Sequence, residues 1–276
     1  ATMVTAGVFL VVRCSPIFEY SQFALNFVCI VGMTTAFITA TIALVQNDIK
    51  RIIAYSTCSQ LGYMFFAAGI GAYHVAMFHL FTHAFFKALL FLGSGSVIHS
   101  FKNEQDIRLM GGVWKKIPYT WILMLIGTLA LTGFPFLSGY YSKDAIIEFA
   151  YLKNSTIGFY VVFIGILTAI LTSIYSWRLL FKTFHGKYSN EKINIENIHE
   201  SPMIMLAPLI LLAVGAIGSG YLFKDLFIGY GSSGEFWRNS ILFLNPIIND
   251  HPPIWIILIT PLLIMISIPI SYYLFL

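Results

Sequence analysis

Long apolar segments constrain the fold of this chain more than any other feature. Each holds about 20 residues with few charges, and a helix of that length crosses the roughly 30 Å hydrocarbon layer of a membrane. Only 10% of the residues are charged, compared with about 25% in soluble domains. The apolar residues are continuous rather than alternating, which predicts helices and excludes a membrane barrel. We therefore expect an all-α membrane protein.

Seven complete transmembrane helices are predicted, preceded by a partial helix at the N-terminus. They lie at residues 23–45, 52–71, 75–98, 119–152, 157–184, 203–223 and 254–276. The chain opens in apolar residues without a basic stretch or a small-residue cleavage site, which excludes a signal peptide. We interpret the opening as the end of a helix whose start lies elsewhere.

The fourth segment, residues 119–152, is too long for one straight helix. It contains Gly133, Pro135 and Gly139, and proline removes a helix hydrogen bond while glycine adds backbone freedom. We predict two half-helices joined near the middle of the bilayer, with residues 133–139 non-helical. The backbone N–H and C=O groups that a break leaves free at that depth must form hydrogen bonds with protein or water. Discontinuous helices of this kind mark binding sites in transporters.

The distribution of Lys and Arg in the loops predicts the orientation. Alternate loops carry ten basic residues on one side of the membrane and four on the other, which places the richer side in the cytoplasm or mitochondrial matrix. The ten are Lys50, Arg51, Lys102, Arg108, Lys115, Lys116, Arg178, Lys182, Lys187 and Lys192, and the four are Arg13, Lys153, Lys224 and Arg238. The net charge of +4 thus reflects loops and does not indicate nucleic acid binding.

The third predicted helix carries His79, His83 and Lys87 at intervals of four residues. That spacing places the three side chains along one helical face, about 6 Å apart. Ionisable residues inside a membrane are costly and usually face a bundle interior or a wet cavity. Imidazole exchanges protons near neutral pH, and a lysine, unlike an arginine, can release its proton. The row is therefore a candidate proton relay.

Three other interpretations of this row remain open. The histidines could hold helices together through hydrogen bonds, and Lys87 could extend to the membrane surface if it lay near a helix end. Two histidines four residues apart could also bind a metal, but the glutamate of HExxH is missing and the lysine would repel a cation. The cysteines, Cys14, Cys29 and Cys58, have no metal-like spacing, so neither a metal nor a cofactor site is expected.

Two further groups of polar residues accompany the row. Lys143 and Asp144 follow the predicted helix break. Asp144 is expected in the first turn of the second half-helix, where a carboxylate can also cap the helix, whereas Lys143 has no such structural role. The second predicted helix carries a stripe that could hydrate a channel or bond neighbouring helices, namely Ser56, Ser59, Gln60 and Tyr63.

Four sequence blocks together resemble a known family. The blocks AYSTCSQLGYM, HLFTHAFFKALLFL, NEQDIRLMGG and GFPFLSGYYSKDAI are similar to the subunit 5 family of NADH dehydrogenase, the distal antiporter-like subunits of respiratory complex I. Subunits 2 and 4 of that complex and the large subunit of multisubunit Na⁺/H⁺ antiporters share parts of the pattern. The pair Lys143 and Asp144 and the EQDIRLMGG loop favour subunit 5.

The resemblance implies a fold and roles for the residues. It implies two inverted five-helix repeats, the second of which is formed by residues 23–184. Residues 1–22 would be the end of a truncated first-repeat helix and a loop, and residues 185–276 a loop and two C-terminal transmembrane helices. Lys87 corresponds to the central relay lysine, His79 and His83 to the bridging histidines, and Lys143 with Asp144 to the exit toward the outer side. The resemblance implies no redox centre in this chain, with NADH, FMN, iron–sulfur clusters and ubiquinone held by other subunits.

The resemblance also implies partners and a location. Members of the family carry a first repeat before this region and a lateral helix and last span after it, so we expect that a separate chain supplies the N-terminal half or that this sequence is a fragment of a longer protein. Other membrane-arm subunits, especially one like subunit 4, and lipids are the expected neighbours. The location implied is the mitochondrial inner membrane, with the bacterial plasma membrane as the alternative. A multisubunit antiporter and a structural membrane anchor remain alternative functions.

Overall fold

The chain is helical throughout the part that the computed structural model describes, which is residues 2–189, 195–229, 236–238, 240–244 and 252–276. The helices are α1 (Thr2–Arg13), α2 (Ser15–Phe18), α3 (Gln22–Val45), α4 (Ile49–Gly69), α5 (Tyr73–Ser100), α6 (Pro118–Thr132), α7 (Ser138–Leu152), α8 (Thr156–Leu180), α9 (Met203–Ile228) and α10 (Ile254–Phe275). A π-helical turn, Phe181–His185, continues α8, and a 3₁₀ turn covers Ile195–Asn197. Lys192 lies outside the described residues.

Five of the described helices are long and apolar enough to cross a membrane: α3, α5, α8 with its π-helical turn, α9 and α10. The 21-residue helix α4 is not among them because it carries the polar stripe. The predicted fourth span is divided between α6 and α7, each with 15 residues. The all-α membrane class is confirmed, while the total of seven spans stays a prediction.

The break between α6 and α7 depends on glycine. Helix α6 ends at Gly133, whose φ of 87° lies in the left-handed region that favours glycine, and Phe136 also has a positive φ of 70°. A Cβ atom at Gly139 would overlap the carbonyl oxygen of Ala130, so the two half-helices approach each other through a glycine. The non-helical stretch is residues 133–137, shorter than predicted, because α7 already begins at Ser138.

Glycine also sets the contact between α3 and α4. A Cβ atom at Gly62 would lie 2.6 Å from the backbone nitrogen of Ala36, and one at Gly32 would lie 2.5 Å from that of Phe66. The Ser59 hydroxyl, on the same side of α4, donates a hydrogen bond of 2.8 Å to the carbonyl oxygen of Ala36. Small residues at such a contact let two helix backbones pack closely, which fixes α4 and its polar stripe in place.

The loops collect at two ends of the bundle. At the basic end, Arg178 donates to the carbonyl oxygen of Gln46 (2.5 Å) and to Asn47 Oδ1 (2.7 Å), and Glu200 accepts the backbone N–H of Tyr119 (2.8 Å). In the loop after α5, the Arg108 guanidinium beside Asp106 lowers the pKa of that carboxyl. Most of the basic loop residues lie at this end, as the predicted orientation requires.

The opposite end, called the far end below, brings together the loops next to α1, α5, α8 and α9. Arg13 donates to the carbonyl oxygen of Ser240 (3.1 Å), and the backbone N–H of Leu244 donates to Glu19 (3.2 Å). Lys153 lies beside Gly71 and Glu19 at the same end. Under the predicted orientation, this end faces the outer side of the membrane.

We predict that Gly62→Ala destabilises the chain by about 1–3 kcal/mol, because the added methyl group has no space between α4 and α3. The measurement is thermal unfolding of the purified membrane assembly. Gly95→Ala is the matched control, since a Cβ atom there meets nothing within 4 Å. Equal stability of the two variants would contradict the close glycine contact.

Candidate functional site

The row on α5 lies in the interior of the bundle. His79, His83 and Lys87 are 1%, 4% and 4% exposed, between α4 on one side and α7 and α8 on the other. Lys87 is too deeply buried to reach the membrane surface as an interfacial lysine would. The helical spacing in the sequence therefore brings the three side chains to one interior face.

The amino group of Lys87 contacts a short chain of hydroxyl groups. Its Nζ donates a 2.6 Å hydrogen bond to Ser56 Oγ on α4, which lies 2.6 Å from the hydroxyl of Tyr175 on α8. The Tyr175 hydroxyl also faces Gln60, one turn further along α4. A small cavity borders this group and is lined in part by Thr128. The arrangement joins three helices around one ammonium group.

His79 lies at the centre of a second group. Its Nε2 lies 3.2 Å from Gln60 Oε1 and its Nδ1 lies 3.0 Å from Ser142 Oγ on α7. Thr82 donates to the same Ser142 oxygen at 2.8 Å. Because the amide oxygen of Gln60 only accepts, a neutral His79 carries its proton on Nε2 and accepts from Ser142 at Nδ1. The imidazole therefore bridges α4 and α7.

His83 lies between these two groups without joining either by a hydrogen bond that the structure records. Its ring centroid is 6.0 Å from that of His79 and 5.3 Å from that of Phe86. Its Nε2 is buried and has no hydrogen-bond partner among the described residues. Lys87 follows one helical turn later. His83 therefore lies between His79 and Lys87 on this face of α5.

Lys143 and Asp144 are also buried, at 0% and 5% exposure. Lys143 Nζ lies 5.1 Å from the ring centroid of Tyr63, whose hydroxyl donates to the carbonyl oxygen of Gly165 on α8. Neither Lys143 Nζ nor the carboxylate oxygens of Asp144 have a hydrogen-bond partner among the described residues. Lys143 thus lies inside the bundle as predicted, and its neighbour Ser142, not Lys143 itself, makes the contact with the row.

The expected capping role of Asp144 is wrong. Helix α7 begins at Ser138, with Leu137 as its N-cap, so Asp144 is the seventh helical residue and lies in the second turn. The backbone N–H groups that a cap satisfies belong to the first turn. The helix starts earlier because only residues 133–137 are non-helical. Asp144 is a buried carboxyl within the helix.

The polar stripe of α4 divides between two neighbours. Ser56, Gln60 and Tyr63 face the site, whereas Ser59 is a contact to α3 and has no geometric support as a hydrating residue. Sequence reasoning missed Tyr175 and Thr82 and gave Ser142 no role of its own. A tyrosine in an apolar span was the available signal for Tyr175, but only tertiary structure shows which hydroxyl meets which imidazole.

No three His, Cys, Asp or Glu side chains within the described part of the chain are arranged as metal ligands. The ionisable groups of the site contact hydroxyl, amide and aromatic groups instead. Chemically, this arrangement can hold protons and pass them between neighbouring side chains.

The chain is similar to known membrane subunits. A family model described as NADH:quinone oxidoreductase/Mrp antiporter, TM, matches residues 1–172. NADH-ubiquinone oxidoreductase chain 5 of Phytophthora infestans is 54% identical over 250 residues, which cover 91% of this chain and 37% of that protein. NADH-quinone oxidoreductase subunit L of Rhodobacter capsulatus is 58% identical over 240 residues, covering 83% and 33% respectively.

A solved structure, that of the Mrp complex from Dietzia sp. DQ12-45-1b, is also similar. One of its chains matches with a TM-score of 0.78 and 25% identity, covering 99% of this chain and 30% of that one. The chain spans about a third of the length of the curated relatives it matches. The predicted family resemblance is confirmed: the chain belongs to the NADH:quinone oxidoreductase/Mrp antiporter family of membrane proteins.

Proposed function

We propose that this chain carries protons through the membrane as part of an NADH:quinone oxidoreductase of the complex I type, with His79, His83, Lys87, Lys143 and Asp144 as the relay. The observation that carries the proposal is the burial of these five ionisable groups in one part of the bundle, where hydroxyl and amide side chains of α4, α7 and α8 surround Lys87 and His79. Such groups in a membrane interior are costly, so a purely structural anchor would have little reason to contain them.

The two groups of hydrogen bonds supply the steps of the path. Lys87 can pass a proton along the hydroxyls of Ser56 and Tyr175, each of which accepts one proton as it releases its own, so the proton leaves toward the cavity that borders Tyr175. His79 can take up a proton at Nδ1 through the Ser142 hydroxyl, and the amide oxygen of Gln60, which accepts the hydrogen bond from Nε2, stabilises the imidazolium that forms. These contacts are 2.6–3.2 Å, the length over which protons hop.

The two groups meet in two places. Ser56 and Gln60 are four residues apart on α4, and the Tyr175 hydroxyl faces both. On α5, the ring of His83 lies between His79 and Lys87 along the helix, with its centroid 6.0 Å from that of His79. Lys143 would join through Ser142, which precedes it on α7 and contacts His79.

The redox chemistry belongs, in this proposal, to other subunits. NADH, FMN, iron–sulfur clusters and ubiquinone would be bound there, and this chain would lie in the membrane arm beside a subunit like subunit 4. The eukaryotic relatives support a location in the mitochondrial inner membrane, and the bacterial relative supports the plasma membrane as the alternative. The likeness to a chain of the Mrp complex favours a second candidate, a multisubunit cation/proton antiporter. Mass spectrometry of the co-purified chains separates these candidates.

We predict that Lys87→Ala leaves assembly intact but lowers the proton current through this chain about 100-fold, the typical contribution of a positioned proton-transfer group. The protons pumped per NADH oxidised in reconstituted vesicles then fall by the share that this chain contributes. Lys115→Ala, at an exposed lysine of the basic end, is the control. Pumping at the wild-type ratio in Lys87→Ala would exclude the relay.

We predict that Lys143→Arg also lowers pumping, because arginine keeps the positive charge but does not release its proton. The same vesicle assay measures the effect, and Lys116→Arg, an exposed substitution of the same type, controls for side-chain size. If Lys143→Arg pumps normally, Lys143 acts only as a fixed charge.

We predict that Ser142→Ala slows proton transfer at least about 10-fold, because it removes the hydroxyl between His79 and Thr82. Ser94→Ala is the matched control, since Ser94 is a buried serine that donates only to a carbonyl oxygen of its own helix, that of Phe91. Equal pumping by the two variants would show that the contact between α5 and α7 is structural.

A further inference from the structure

The surroundings of Asp144 lead to an inference that goes beyond the proposed relay. It is 5% exposed, and neither carboxylate oxygen has a hydrogen-bond partner among the described residues. A buried carboxyl without a partner is costly, which favours a functional role over a structural one. A group that exchanges protons with Asp144 would lie between it and the far end of the bundle, where α7 ends at Leu152.

Glu148 lies in that position. It follows Asp144 by four residues, so it lies on the same face of α7 about 6 Å nearer to the far end. Its side chain is half-buried, between the buried Asp144 and the solvent. The two carboxyls are close enough to interact electrostatically, as are Glu148 and Lys224 of α9.

Helix α9 presents Lys224 to this face of α7. A Cβ atom at Gly220 would lie 2.5 Å from the Cα atom of Ser138 and 2.9 Å from the ring of Tyr141, so the two helices are in direct contact. One turn further along α9, Lys224 Nζ lies 5.8 Å from the ring centroid of Tyr141. Lys224 is exposed. Exposure therefore increases in steps from Asp144 to Glu148 to Lys224.

We infer that Glu148 and Lys224 form the outlet of the proton path at the far end of the bundle, an inference that rests on the proposed function. A proton leaves the carboxyl of Asp144 and joins the carboxylate of Glu148, and Glu148 then releases it to the outer solution. The ammonium group of Lys224 favours the ionised Glu148 and so promotes this release. The other titratable groups that interact with Asp144 are Tyr63 of α4 and Tyr140 and Lys143 of α7.

An interfacial anchor is the competing explanation for Lys224. A lysine near a helix end commonly extends to the membrane surface over an aromatic ring, and this requires no carboxylate partner. It does not explain Glu148, a half-buried acid one turn from a buried acid on the same face. The experiment therefore tests the carboxyl and the lysine separately.

The test measures protons pumped per NADH oxidised by the whole assembly in vesicles, with Lys87→Ala as reference. Glu148→Gln is expected to lower the ratio to the level of Lys87→Ala, and Glu148→Asp is expected to restore it. Lys224→Gln is expected to lower pumping partly, because release from Glu148 becomes slower. Glu19→Gln and Lys153→Gln are the matched controls, a partly buried glutamate and a lysine at the same end but away from Asp144, and are expected to pump normally.

The outcomes separate the two proposals. If Lys87→Ala pumps normally, the proposed function fails and the outlet fails with it. If Lys87→Ala loses pumping while Glu148→Gln assembles and pumps normally, only the outlet is overturned. Normal pumping by Lys224→Gln overturns the part assigned to the lysine. If Glu148→Gln fails to assemble, the pH dependence of pumping by Glu148→Asp distinguishes the two roles of Glu148. An unchanged pH dependence indicates a structural carboxyl and overturns the outlet, whereas a shifted pH dependence supports it.

Discussion

The hydrogen bonds of Ser142 to His79 and Thr82 are the interaction on which the site depends. They join α7 to α5 at a point where both helices are buried, and His79 extends the connection to Gln60 on α4. Inside a membrane no bulk water competes for these groups, so each polar side chain must find its partner within the bundle. Ser142 thus links the half-helix after the break to the ionisable row.

The break in the helix makes that position possible. A straight helix from Pro118 to Leu152 would continue the course of α6, whereas the bend at residues 133–137 redirects α7 against α5, α8 and α9. Glycine permits the bend twice, through the left-handed backbone of Gly133 and through the contact between Gly139 and Ala130. The interrupted helix and the buried ionisable side chains both cost free energy, and they occur in the same part of the bundle, as is common at functional sites.

Helical periodicity was sufficient to predict the row, and segment length together with glycine and proline was sufficient to predict the break, but neither identified the partners of these residues. Residues four apart on a helix share a face whatever surrounds them, so His79, His83 and Lys87 could be placed together in advance. Ser59 and Ser56 lie on the same helix and look equivalent in sequence, yet one bonds to α3 and the other to Lys87. That difference depends on which neighbour each helical face meets, which a single sequence does not contain. The predicted place of Asp144 in the first turn of α7 was wrong because the helix already begins at Ser138.

His74 shows why a histidine in an apolar helix does not by itself identify a relay residue. It is half-buried on α5 one turn before Phe78, its Nδ1 has no partner among the described residues, and the rings of Phe149 and Phe243 lie at 5.0 and 5.3 Å. These neighbours offer neither a donor nor an acceptor in their rings, so His74 can pack but cannot pass a proton to them. His79, only five residues away, has a hydroxyl on one nitrogen and an amide on the other. The chemistry of the surrounding helices, rather than the presence of an imidazole in the membrane, therefore distinguishes a histidine that can exchange protons with its neighbours from one that only packs against them.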